Sequence, residues 1–424
     1  MRRLITAGTL TFTAAGGWAQ LDLAQVAADL AARAVPVRLT FWQTHNAEET
    51  VTLQALVASF EAQFPGVDID MAYEPFDGAH DKFLVAAQAG EGPDVMRAEI
   101  MWVSEFASLG LLREVTYDLT DEDRADFLPN TLATADYDGD LWGLPQVTDC
   151  LALLYNRRMF ERAGLTPPAT WQELVAQRDE WQAAHPGIHE FAFAISDSYF
   201  FLPFLWSFGG DMLDPDTHEP LIHSAEAAAA LQFILDQQDA GVLPPDFDIA
   251  NDYNNRMEAL KNGRVGSILN GPWATADLLA GPEFSDPANL GIAPVPHSEG
   301  GDVRVAPVGG HTLVISAGCD EPEAAYLFIH WLTQPGQQAV FAERNNLLPT
   351  RESAYSLPAV QGNRLVAEFG EVLAATARNR PVLPNAGNLF PPLDRGFQEA
   401  MRRARPPAEA LRQVATDWRG VLAP

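Results

Sequence analysis

Apolar and polar positions alternate at Val37, Leu39 and Phe41 in the segment VRLTFW, the two-residue period of a half-buried strand. The period then changes. Asn46 and Glu49 have the spacing of an N-cap and its capping box, and Leu53, Leu56, Val57 and Phe60 follow at helical intervals until Pro65-Gly66 stops the helix. In VDIDMAY, residues Val67, Ile69, Met71 and Tyr73 fall on one face of a second strand. A helix over about 77–89, a G-E-G-P turn, a strand over 94–98 and a helix starting near Met101 complete a β-α-β-α-β-α series. That order predicts a parallel sheet covered by helices.

Beyond it, D-Y-D-G-D-L-W-G-L-P (136–145) predicts a hairpin about Asp138-Gly139, and a strand is expected over 147–155. Helical patterns run over 171–184, 225–240, 253–262, 322–333 and 336–343, with strands near 265–269 and 312–316. An aromatic-rich stretch occupies 199–211, 214–220 carries a second hairpin signal, and the C-terminus is helical with basic Arg402, Arg403 and Arg405. There is neither a tandem repeat nor a low-complexity linker. An α/β unit before residue 147 and another after it predict two α/β lobes, each a sheet flanked by helices. Ligands in such folds lie at the carboxyl ends of strands and between lobes.

Charge narrows the function. The chain of 424 residues holds 27 Lys+Arg against 57 Asp+Glu, a formal net charge of −30, and its two lysines are Lys82 and Lys261. Phosphate backbones need clustered cations, so no nucleic-acid partner is expected, and an anionic membrane surface would repel the chain. Nor is there an apolar run of about 18 residues that could span a bilayer. Met1-Arg2-Arg3 followed by a modest apolar stretch predicts a signal peptide over 1–19, with cleavage after Ala19 and a periplasmic destination; an N-terminal helix of a cytosolic protein is the alternative. Cys150 and Cys319 are too few for a disulfide scaffold, and neither is placed to carry a lipid. Two separately buried thiols are expected, with a bridge as the alternative.

Catalytic signatures are missing: no G-x-S-x-G, G-x-G-x-x-G, Walker A, H-E-x-x-H or C-x-x-C occurs. His185 and His189 are four apart, but Pro186-Gly187 between them breaks any helix that would align them, which predicts a solvated loop. Asp136, Asp138 and Asp140 lack the glycine position and closing glutamate of a calcium loop. No cofactor and no metal are called for. What recurs instead is aromatic residues beside carboxylates and glycine at element ends. Sugar rings present flat C–H faces to Trp and Tyr, and their hydroxyls need Asp, Glu, Asn or Arg as partners.

Those residues fall in recognisable runs. LTFWQTHNAEE, the helix ending F-E-A-Q-F-P-G-V, G-P-D-V with E-I-M-W-V-S-E-F shortly after, and LWGLPQVTDCLALLYNRRMFERAGL (141–165) come first. PPATWQEL (167–174), FGGDML (208–213), KNGRVGSILNGPW (261–273) and PVGGHTLVIS (307–316) continue the series. Over residues 37–400 the chain resembles the family 1 extracellular solute-binding proteins of ABC sugar importers, and most of all the branch with trehalose/maltose- and α-glucoside-binding proteins. The resemblance implies the two-lobed periplasmic-binding-protein fold, type II-like, in a monomer that closes on a sugar and delivers it to membrane permease subunits. The lobes would be 37–147 with 306–347, and 148–305 with 348–424, joined by hinge strands near 146–151, 303–313 and 346–350.

The resemblance also implies the contacts. Glu49 would accept from sugar hydroxyls, its capping-box role remaining the alternative. Glu99, beside Trp102, stands where the branch usually has Asp. Asp149 would lie on the inter-lobe strand, Trp273 would be a stacking platform, and Gly309 and Gly310 would let backbone N–H groups approach the sugar. His311 stands where the branch often has Trp, a departure that bears on specificity. Arg380 would supply a planar fork to two hydroxyls, while Gln43, His45 and Asn46 line the cleft. Tyr253, Trp206 and Asp211 are secondary candidates. A binder of a charged or modified sugar or a polyol is the alternative function, and a glycoside-cleaving enzyme the remote one.

Overall fold

The computed structural model describes residues 21–244 and 251–423; the expected signal peptide over 1–19 lies outside the described residues. The strands in chain order are β1 (Val37–Gln43), β2 (Val67–Tyr73), β3 (Val95–Glu99), the hairpin β4 (Asp136–Tyr137) and β5 (Asp140–Leu141), and β6 (Leu144–Cys150). They continue with β7 (Ala152–Asn156), β8 (His189–Ala192), β9 (Val265–Asn270), β10 (Leu290–Ala293), β11 (Ala306–Ile315), β12 (Leu348–Pro349) and β13 (Ala377–Arg378).

Two main sheets carry the architecture. The larger has seven strands in the order β12-β6-β11-β3-β1-β2, with β13 pairing with β11, and the smaller has four, β10-β7-β9-β8. β1 is parallel to β2 and β3, as the β-α-β spacing requires, whereas β11 runs antiparallel to both β3 and β6. Each sheet is packed by helices over its own buried cluster. One is centred on Leu39, Phe41, Phe60, Leu313 and Phe328, the other on Leu153, Trp171, Phe204, Ile234, Ile268 and Trp418. Burying side chains of this size on both sheet faces contributes ~1.5–3 kcal/mol apiece, which sets the two lobes as separate packing units.

Local chemistry fixes the elements around the cleft. Asn46 accepts from the Glu49 backbone N–H at 2.9 Å while the Glu49 carboxylate reaches back to the Asn46 N–H, so the capping box opens the Ala47–Gln63 helix as its spacing predicts. Asp138 and Gly139 both take positive φ, 58° and 88°, the turn that the Asp-Gly pair favours between β4 and β5. The helix Leu23–Ala31, N-capped by Asp22, packs Val26 and Leu30 inward.

Three sequence expectations are corrected. The single strand over 147–155 is two, because the chain leaves the large sheet at Cys150 and enters the small one at Ala152; both halves are buried on both faces, so no change of period marks the crossing. The helix over 171–184 is two, Trp171–Ala176 and Arg178–Ala184, separated by Gln177. His185 is buried, not solvated: its Nε2 donates to the Met159 carbonyl at 2.9 Å and its ring packs on Trp181.

Candidate functional site

β1 and β3 end side by side, and the residues just past them turn inward toward β6 and β11. From β3, Arg97 Nε donates to Gln146 Oε1 at 2.8 Å and Nη1 to Thr44 Oγ1 at 3.1 Å, and its Nη2 lies 4.0 Å from Glu49 Oε2. Gln146 Nε2 in turn donates to His45 Nε2 at 3.1 Å, so the His45 proton is on Nδ1, which donates to Gln43 Oε1 at 3.1 Å. Every member of this network is buried. Burial and the Arg97 charge push His45 well below the ordinary histidine range and keep it neutral, while burial lowers Arg97 only to about 10.

Asp149 and Gly309 face each other across the β6–β11 pair, and His311 faces Val147 on one side and Glu99 on the other. Asp149, His311 and Glu99 therefore share one sheet face. A Cβ at Gly309 would lie 2.2 Å from Asp149 Oδ1, so only glycine leaves room for this carboxylate. Gly310, at φ +143°, is the one position of the pair whose backbone itself favours glycine. Asp149 is 8% exposed, and no described residue hydrogen-bonds to its carboxylate. Burial pushes it up to about 7, the charges of Glu99 and Glu49 adding to the rise and those of Arg380 and Arg97 opposing it. Both ring nitrogens of His311 are buried without partners, and burial holds this ring neutral as well.

The second lobe meets these groups from two sides. Trp273 packs against the apolar clusters of both lobes, and its Nε1 donates to the Tyr253 hydroxyl at 3.1 Å. Gly271 is required beneath it, since a Cβ there would sit 1.9 Å from the Trp273 ring. On the opposite side, the segment after β13 runs along the helix Ile100–Ser108. Arg380 pairs with Glu99 and donates from Nε to the Val308 carbonyl at 3.0 Å; Ser104 Oγ donates to the Leu383 carbonyl at 3.1 Å, and Asn388 Nδ2 to Glu105 Oε1 at 3.0 Å. Tyr199 completes the floor: its hydroxyl donates to the Pro307 carbonyl at 3.1 Å, and Arg380 lies 5.3 Å over its ring.

The structure thus brings together Gln43, His45, Asn46, Glu49, Glu99, Asp149, Trp273, Gly309, Gly310, His311 and Arg380. Three of these have local duties as well. Glu49 closes the capping box, and Glu99 caps the Ile100–Ser108 helix by accepting from the Met101 N–H at 2.8 Å. Arg380 is committed to Glu99. Trp102, beside Glu99 in sequence, is 8% exposed and packs on Phe76 and His80. Tyr253 is tied to the site through Trp273. Trp206 and Asp211 instead form their own group, with Trp206 Nε1 donating to Asp211 Oδ1 at 3.1 Å and Arg378 Nη2 to Asp211 Oδ2 at 2.6 Å.

Sequence reasoning missed Arg97, Gln146 and Tyr199. Arg97 had a readable signal, a cation inside the short strand V-M-R-A-E, where an unpaired charge would be too costly to bury. Cys150 and Cys319 are both free, the first buried and the second half-buried.

Polar groups clustered at strand ends, between two sheets linked by crossing strands, define a two-lobed solute-binding protein. Residues 46–339 match the family described as bacterial extracellular solute-binding protein, and the chain belongs to that family. It is 25% identical over 341 residues to the maltotriose-binding protein of Pyrococcus abyssi, covering 79% of this chain and 71% of that one. Among solved structures, the GacH receptor of Streptomyces glaucescens, determined unliganded and with acarbose, superposes with a TM-score of 0.86 at 34% identity, over 92% of this chain and 99% of that one. Maltose-bound MalE3 of T. maritima gives 0.82 at 28% identity, over 91% and 100%. These relatives are binding proteins rather than enzymes, and the family is an exported one.

Proposed function

We propose that the protein captures a sugar, a di- or oligosaccharide of the α-glucoside kind, between its lobes and delivers it to the permease subunits of an ABC importer without making or breaking a bond. The observation that carries this reading is the pairing of the two partnerless ring nitrogens of His311, and of Asp149 on the same sheet face, with a tryptophan that touches the cores of both lobes. A buried polar group without a partner costs ~1–3 kcal/mol, and hydroxyls of a bound sugar would remove that cost. Trp273 offers a flat apolar face from the second lobe. The maltotriose, maltose and acarbose relatives support the same class of solute.

On this reading 37–147 with 306–347 form one lobe and 148–305 with 348–424 the other. A solute touching both favours the closed form by its differential contacts. The monomer is exported to the periplasm. Cleavage after Ala19 would retain the helix Leu23–Ala31, which packs on the helix Pro322–Leu332 and is tied to the same lobe by Arg33 and Glu321 at 2.6 Å.

Isothermal titration with trehalose, maltose, maltotriose and acarbose tests the proposal. Saturable binding with no released glucose supports it; turnover of a glycoside, or no affinity for any sugar, overturns it.

A further inference from the structure

The cleft contains more carboxylates than its cations can serve. Glu49, Glu99 and Asp149 face Arg97 and Arg380. Arg380 is bonded to Glu99, and Arg97 lies 4.0 Å from Glu49. His45 and His311, the other basic groups present, are held neutral by burial. One carboxylate is left over, and it is Asp149, 8% exposed and without a hydrogen-bond donor among the described residues. Its carboxylate lies over the bare backbone of Gly309, close to the Tyr199 hydroxyl and on the same face as His311.

A neutral hydroxyl can donate one hydrogen bond to such a carboxylate but leaves its charge unbalanced in a dry cleft. An ammonium group supplies the donor and the countercharge together, whereas a hydroxyl's bond to the carboxylate, although charge-assisted, leaves the charge uncompensated. His311, with a free donor and a free acceptor, stands ready for hydroxyls on the same ring.

Resting on the sugar-binding reading above, we propose that the solute is a sugar carrying a basic nitrogen, received as an ammonium by the Asp149 carboxylate. The overall charge of −30 favours the approach of such a cation. The same geometry gives the binding a pH signature. The charged and titratable groups around Asp149 are Glu49, Arg97, Glu99, Arg380, Tyr199 and the adjacent Cys150. With Asp149 titrating near 7, an ammonium ligand must expel a proton at lower pH, so its affinity rises from pH 5.5 to 7.5, whereas a neutral sugar, whose hydroxyls can donate to the carboxylate or accept from the protonated acid, follows less steeply.

The test compares each neutral sugar with its own amine. Trehalose and maltotriose are titrated beside their mono-amino derivatives, with a primary amine at carbon 2, 3, 4 or 6 of the non-reducing glucose. At pH 7.5 at least one amine should bind about tenfold more tightly than its parent, a ratio worth one decade in the dissociation constant. That ratio should shrink toward one at pH 5.5, and in Asp149→Asn it should stay near one at both pH values, whatever becomes of the parent's own affinity. The wild-type pH series alone decides the matter should Asp149→Asn fail to fold. Parents that bind as well as every amine, or a preference that survives in Asp149→Asn, overturn the inference and leave the sugar-binding reading standing. No binding by parents or amines overturns both.

Discussion

The side-chain amide of Asn46 donates to the backbone carbonyl of Trp273 at 3.2 Å, tying the cap of a helix on one lobe to a turn on the other. The bond holds the backbone of the residue whose indole packs against both cores. Trp273→Ala should therefore weaken sugar binding at least tenfold, about 1.4 kcal/mol, while leaving the fold's melting temperature within a few degrees. Asn46→Ala should lose a smaller factor in affinity and, because the N-cap goes too, ~1 kcal/mol of stability. Titration calorimetry and thermal melts on the two variants separate these effects; unchanged affinity in Trp273→Ala would remove the indole from the site.

Arg380 and Glu99 form a buried pair joining residues 281 positions apart. The carboxylates of Glu99 and Asp149 and the Tyr199 ring outweigh burial and hold the guanidinium firmly charged. Removing one partner of such a pair strands the other, at a cost of ~3–5 kcal/mol. Arg380→Met should lower the free energy of unfolding by that much, and Glu99→Gln in the same chain should recover part of the loss. A double-mutant cycle that shows additivity would mean that the two charges are independent.

Glu190 supplies a prediction far from the cleft. Both of its carboxylate oxygens are buried without a partner, and burial pushes it up to about 8. Below the unfolded value near 4.5 both states are protonated and the group is silent. Between that value and 8 the folded protein holds a proton that the unfolded chain releases, so stability falls as pH rises; above 8 the full penalty is present. Glu190→Gln should thus melt close to wild type at pH 5 and clearly higher at pH 9. An equal gap at the two pH values would show that the carboxylate is solvated or paired.

Gly309→Ala places a methyl 2.2 Å from Asp149 Oδ1. The carboxylate must turn away, and sugar affinity should drop at least tenfold. Shortening the neighbour, as in Gly309→Ala with Asp149→Ala, should restore stability without restoring binding. Recovery of binding in the double variant would show that Asp149 makes no contact.

Both cysteines are free, and burial raises their thiols, Cys319 to about 12. A thiol reagent at neutral pH should label the native protein slowly, with Cys319 ahead of Cys150, and label both at once in denaturant. A denatured species that lacks both thiols until a reductant is added would indicate a bridge.

Much of the architecture was legible. The alternation at Val37, Leu39 and Phe41, the Asn46–Glu49 capping box, the Asp138-Gly139 turn and the β-α-β series each depend on residues a few positions apart, and each is present as read. The crossing at Leu151 was not legible, because a strand buried on both faces has no period by which to tell one sheet from the other. The site divides in the same way. Asp149, Trp273, Gly309 and His311 were singled out by the family resemblance, but nothing near them in sequence told which would be paired.

By itself, then, the sequence determined the α/β class, the order of elements and the net charge of −30 that argues against a nucleic-acid partner. These follow from local periodicity, turn preferences and summed charge, which neighbours within a few residues settle. Tertiary structure alone decided that Arg97 meets Gln146 and Glu49, that Arg380 crosses to Glu99, and that Asp149 feels both cations without an ion pair of its own. The balance of a buried charge depends on partners brought from distant parts of the chain, and only the folded sheets put them face to face.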